Sequence, residues 1–242
     1  MGSEMRRMLT GKGFLAATVF SIAAILFGTV WPDTTETLET GQFLAMEQKA
    51  LCSKVVYFLM PVAAVLPWSD SFLSEMKGGF LKSSLSRQNR RVYTESKVMV
   101  VAFGSFLVWI ASGMLVLFFQ FLLFFPLEKK GVITFAMVWE MITILLRCGL
   151  LSAILGSISG ICAILSKSAY LSFGFPFVGY YFCIILQERY FPQTMWLYPP
   201  QWICGDAGWG AHQEGLWLFL FLFLGVVLGV HGGILYGQLE EI

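Results

Sequence analysis

Charge is scarce in this chain. Asp, Glu, Lys and Arg make up only 13% of the 242 residues, about half the share of a soluble domain, and 16 basic residues against 15 acidic ones leave a net charge of +1. That balance excludes the basic field of a nucleic-acid-binding protein. Histidine occurs only at His212 and His231, and the five cysteines (Cys52, Cys148, Cys162, Cys183, Cys204) form no C-x-x-C pair. A zinc site of ordinary spacing is excluded with them. Four of the cysteines lie in or beside apolar runs, where cysteine packs as a small hydrophobe. Cys204 falls in a polar loop, and a disulfide to Cys52 is one pairing left open. Catalytic motifs are missing as well. The chain has no H-E-x-x-H, no G-x-S-x-G and no intramembrane aspartate pair, and Gly11-Lys12-Gly13 lacks the upstream glycine of a phosphate-cradling loop. The sequence therefore predicts no cofactor or metal on this chain.

What the sequence has in excess is apolar residues, at 57%. Six runs emerge: 13–31, 51–68, 98–125, 145–165, 170–186 and 216–235. Five are near the roughly 20 residues that a helix needs to cross a bilayer, and the third, with 28 residues, is longer and is expected to tilt or project. None alternates apolar with polar, which excludes a β-barrel. The first run follows Arg6, Arg7 and Lys12 but ends in Gly-Thr-Val-Trp-Pro-Asp, a poor cleavage site, so a retained span is expected. Pro61 and Pro67 interrupt the second. The stretch 131–166 exceeds one span and falls short of two, and is read as an outer segment, 131–144, followed by the fourth span. The expected fold is an all-α polytopic membrane bundle of six spans in a single transmembrane domain.

An even number of spans puts both termini on one side, and the positive-inside rule selects it. A cytoplasmic N-terminus places Arg6, Arg7, Lys12, Lys77, Lys82, Arg87, Arg90, Arg91, Lys97 and Lys167 inside, ten of the 16 basic residues. The outer loop 32–50 then carries Asp33, Glu36, Glu39 and Glu47 against Lys49, and the outer loop 187–215 carries Glu188, Asp206 and Glu214 against Arg189. The expected location is a cell membrane, such as a bacterial cytoplasmic membrane.

The segment 69–97 is the only long polar stretch on the inner side. Ser69 or Ser71 can cap a helix start, with Asp70 favourable at its positive end. Phe72, Leu73 and Met76 follow at helical spacing before Gly78-Gly79 breaks the turn. Two readings stand: a loop whose basic residues contact anionic lipid, or a short amphipathic helix that docks a cytoplasmic partner.

The order Leu66-Pro67-Trp68, Glu75-x-x-Gly78, Ser86-Arg87 and Tyr93-x-x-x-Lys97 entering a long third span resembles the small permease subunit of six-span ABC-type exporters. That class includes drug, antimicrobial-peptide and polysaccharide exporters. The resemblance implies a coupling helix between spans two and three that seats in a cleft of a separate ATPase chain. It places that helix over 70–82, with Asp70, Phe72, Glu75, Lys77, Gly78 and Lys82 as coupling residues. It also implies ATP and Mg on the partner P-loop ATPase, a second permease subunit, identical or related, and export of a hydrophobic or amphipathic cargo such as a peptide antibiotic, drug or lipid. The permease chain itself is then not an enzyme. The competing functions are a non-enzymatic channel or membrane assembly factor, and an intramembrane hydrolase.

Small residues at four-residue spacing let helices approach closely in lipid. Gly225, Gly229, Gly233 and Gly237 form one such series, and Ser152, Gly156 and Gly160 another. They suit packing seams within one subunit or a face against a second. Glu140 and Arg147, seven apart, share a helical face near the outer boundary and read as an outer gate or an interfacial anchor pair. Lys54 can snorkel outward, and His231 has no intramembrane carboxylate partner by spacing. Tyr190, Phe191, Trp196, Tyr198, Trp202 and Trp209 in the last outer loop suit an interfacial aromatic belt or a folded cap.

Overall fold

The computed structural model describes residues 2–32, 38–81, 85, 88–205, 208–210 and 213–240. Asp33, Glu36, Lys82, Ser86, Arg87, Asp206 and His212 lie outside the described residues. Ten α-helices are present among those described: α1 (Gly2–Leu9), α2 (Lys12–Gly28), α3 (Gln42–Leu51), α4 (Lys54–Val65), α5 (Ser71–Lys77), α6 (Arg90–Phe124), α7 (Phe135–Ser166), α8 (Ala169–Arg189), α9 (Pro199–Cys204) and α10 (Glu214–Glu240).

Four segments are long and apolar enough to cross a membrane: Arg90–Leu127, Phe135–Ser166, Ala169–Arg189 and Glu214–Glu240. Helices α3 and α4 reach that length only as a pair, bent by 63° at the break between them. Helix α2 has 17 residues, a rise of about 26 Å against a hydrocarbon core of about 30 Å. The protein is thus a helical membrane bundle with four to five candidate spans. Bands of exposed Phe, Leu and Val on α6, α8 and α10, among them Phe118, Leu122, Phe175, Val178, Phe221 and Val226, form a surface that suits lipid and would aggregate in water.

Three boundaries differ from those expected. The stretch 131–166 is not divided, because α7 runs unbroken for 32 residues, about 48 Å. No proline interrupts it, its small residues are packed against neighbours, and it ends only where Lys167 turns left-handed at φ 52°. Within the second apolar run the helix is only α4, which starts where Ser53 accepts a hydrogen bond from the Val56 amide and tolerates Pro61 inside. The segment 32–50, expected as an outer loop, contains α3. The Glu128 carboxylate caps that helix, accepting from the amides of Gly41 (2.8 Å) and Phe43 (2.9 Å).

Helix α7 is the centre of the bundle, packed by α6 along its length and by α3, α4, α8 and α10. Serines bind the layers together. Ser152 Oγ donates to the Ser105 carbonyl (2.8 Å), and Ser105 Oγ donates to the Ala64 carbonyl (2.7 Å), so α7, α6 and α4 are linked in series. Ser159 and Ser172 bond each other between α7 and α8. Such bonds are worth roughly 0.6 kcal/mol each in a membrane. A Cβ at Gly156 would overlap Ser105 and lie 3.1 Å from the Ala64 carbonyl, and one at Gly160 would lie 2.6 Å from the His231 ring. Ser152, Gly156 and Gly160 therefore line a seam inside the chain. Gly225, Gly229, Gly233 and Gly237 do not. Among the described residues, no atom of a neighbouring element lies within 4 Å of a Cβ built at any of them, and they form an open face on α10.

Candidate functional site

At one end of the bundle α1, α5, the first turns of α6, the last turn of α7 and the last turns of α10 meet. Phe72, Leu81, Tyr93, Val98, Ile164, Leu235 and Leu239 form a small apolar cluster there, separate from the main core. Over it lies an ionic network centred on Lys97, which is only 2% exposed. Its ammonium donates to Glu4 (2.7 Å) and to Glu75 (2.6 Å). Tyr93 Oη donates to the other Glu75 oxygen (2.7 Å), and Arg7 lies 3.9 Å from Glu75. The Trp68 and Tyr93 rings lie 5.9 Å and 5.8 Å from the ammonium, within cation–π range. Burying an ammonium this deeply is costly, and the two carboxylates that surround it offset that cost. Burial alone would push the Glu4 carboxyl up, but the Lys97 hydrogen bond and charge, with Arg7 added, outweigh it and hold Glu4 below the usual carboxylate range.

This network gives α5 two faces. Phe72 is buried in the apolar cluster and Glu75 is turned toward Lys97. Ser74, Lys77 and Gly78 are exposed on the other side. Asp70 occupies the N-cap position of α5 without a side-chain hydrogen bond to it. Of the six residues expected to couple, Lys77 and Gly78 are on the accessible face, Phe72 and Glu75 are on the anchoring face, and Lys82 lies outside the described residues. The Tyr93-x-x-x-Lys97 spacing signals one face of α6, but nothing in the sequence says which carboxylates it meets. Glu4, 93 positions away, was not foreseen.

At the opposite end Arg147 is 3% exposed and makes no ion pair with Glu140, which is exposed. Its guanidinium donates to the carbonyls of Ile203 (3.2 Å) and Cys204 (3.3 Å) and to the Gln213 side chain, and lies 5.3 Å from the Trp217 ring. Arg147 is therefore a clamp on the segment between α8 and α10. A Cys52–Cys204 disulfide joins the same segment to the break between α3 and α4. Trp202 is buried against Phe219 and Phe223, and its indole donates to the Trp196 carbonyl (3.1 Å). Part of the aromatic set thus builds a folded cap, while Tyr190, Phe191 and Trp196 are exposed. Lys54 is exposed at the start of α4, and His231 packs against Gly160.

The interior holds a carboxylate that charge counting had placed in the outer loop. Glu47 on α3 is fully buried, with Gln120 of α6, also fully buried, within its reach. A signal for this was present: Phe43, Leu44, Met46, Ala50 and Leu51 recur at helical spacing around Glu47 and are buried together. No group of His, Cys, Asp and Glu suited to a metal ion occurs among the described residues. No protein-family profile matches the chain, and no curated protein matches it well enough to count as a relative.

Proposed function

We propose that the chain is the membrane-spanning permease subunit of an ATP-driven exporter of the six-span ABC class. On this reading α2 and the bent α3–α4 pair add two crossings to the four long helices. The end bearing α1, α5 and the close of α10 faces the cytoplasm, where Arg6, Arg7, Lys12, Lys77, Arg90, Arg91 and Lys167 gather. The observation that supports it most is the two-faced α5. It is a short helix with its outer side open and its inner side bonded by Glu75 to Lys97, at the root of the longest helix in the bundle. A force applied by an ATPase to Lys77 and Gly78 passes through that bond into α6, and from α6 through Ser105 into α4 and α7.

The open glycine face of α10 supports a dimer. Four stacked glycines on an exposed helix face let a second permease approach closely there. A largely apolar interior suits a hydrophobic or amphipathic cargo. ATP and Mg bind on the ATPase, and this chain transports without catalysing.

Co-expression with candidate P-loop ATPases tests the reading. An ATPase should co-purify with the wild type and be lost from Lys77→Glu, whose exposed position leaves the bundle's own stability unchanged. Failure of every candidate to co-purify, or retention by Lys77→Glu at wild-type yield, counts against it.

A further inference from the structure

Glu47 is an ionisable group that the exporter reading does not use. It lies on α3, between the Glu128 cap and the disulfide-pinned break at Cys52. Both carboxylate oxygens are buried and neither has a hydrogen-bond partner. The carboxyl fills the gap left by a glycine, since Oε1 lies 3.6 Å from where a Cβ of Gly113 would be. Two turns further along the same face of α6, the amide of Gln120 is buried with both its oxygen and its nitrogen unpartnered.

No cation neutralises this group among the described residues. Helix α2 carries no ionisable side chain after Lys12, and α6 carries none after Lys97. Helix α7 offers the Cys148 thiol. Arg147 beside it is committed to Ile203, Cys204 and Gln213, and Glu140 is exposed. On α3 itself Lys49 is exposed. An ionised carboxylate with no counter-charge, and with only the Gln120 amide in reach as a donor among the described residues, is far costlier in an apolar interior than the protonated acid. A protonated carboxyl needs one acceptor, and the Gln120 oxygen is unclaimed. An intramembrane ionisable group kept at such cost is a functional group by default.

We propose that Glu47 is an intramembrane proton-binding site with Gln120 as its partner, and that its charge state sets how α3 is seated in the bundle. Protonated, the carboxyl allows α3 to stay packed on α6 and α7. When water reaches it, the O–H bond breaks heterolytically, the electron pair stays on the carboxylate and the proton leaves on water. The resulting charge then unseats α3. This inference does not rest on the exporter reading, because it concerns only the resting bundle.

Infrared difference spectroscopy on the protein in lipid nanodiscs, with the proton as the probe, tests it. The wild type at neutral pH should show a protonated-carboxyl carbonyl band that is absent from Glu47→Gln and displaced in Gln120→Leu. Hydrogen exchange adds the second arm. After correction for the intrinsic pH dependence, α3 amides in the wild type should exchange at least about tenfold faster at about pH 10 than at neutral pH, bracketing the range of buried glutamates, and Glu47→Gln should remove that rise. A Glu47 seen only as carboxylate at neutral pH, or an α3 response equal in wild type and Glu47→Gln, overturns the proposal. Should Glu47→Gln not fold, an undisplaced band in Gln120→Leu overturns it alone.

Discussion

Lys97 shows how one buried side chain can organise a whole end of the bundle. Its two carboxylate partners come from α1 and α5, so removing the ammonium leaves Glu4 and Glu75 facing each other half-buried. Lys97→Met should lower stability by about 3 kcal/mol, measured as a thermal shift in detergent. The double change with Glu75→Gln should cost less than Lys97→Met alone, because it also removes one stranded charge. An additive result would contradict the network. Acid should act on the same bonds. Glu4 titrates below its ordinary 4.5 in the folded protein. Its contribution is therefore present above that ordinary value and is lost as pH falls through the lowered one. Hydrogen exchange in α1 should stay protected from neutral pH down to about 4.5 and open below it, and Glu4→Gln should abolish the acid limb. These pairings could not be read from the sequence. The partners of Lys97 are 22 and 93 positions away, and only the folded packing of three helices brings them together.

Among the elements, the long apolar helices α6, α8 and α10 were the most legible, because a run of uncharged residues of bilayer length has few other solutions. Helix α7 runs continuously through most of the expected outer segment and the fourth span, because a helix packed on several sides can run on past the hydrocarbon. Helix α3 was hidden by its composition. Glu47 and Lys49 read as loop charges, although the apolar residues around them keep helical spacing. The disulfide was one pairing left open in the sequence, and it holds the kink between α3 and α4 to the cap built by the segment between α8 and α10. The Cys52→Ser, Cys204→Ser double variant, or addition of reductant, should lower stability by about 2 kcal/mol, seen as a thermal shift. No shift would mean that the cap is held by Arg147 alone. Gly156→Leu should be far more damaging, by about 3 kcal/mol or more, since it drives a side chain into Ser105 and Ala64 on two neighbouring helices.

For the whole molecule, the bundle has a seam turned inward on α7 and a glycine face turned outward on α10. Gly229→Leu should therefore leave the monomer's thermal stability within about 0.5 kcal/mol while shifting a dimer toward monomer, read by mass photometry in nanodiscs. Unchanged oligomeric state would detach the glycine face from assembly. The cap at one end, clamped by Arg147 and the disulfide, and the Lys97 network at the other leave α6 as the rod between them. On the proposed permease reading, work done on α5 enters this rod through the Glu75–Lys97 bond. The most direct measurement is cargo-stimulated ATP hydrolysis by the co-purified complex in lipid, comparing wild type with Lys97→Met at equal ATPase occupancy. Lys97→Met should still assemble but lose stimulation by about tenfold, equivalent to about 1.4 kcal/mol of coupling. Stimulation equal to wild type in an assembled Lys97→Met complex would contradict it.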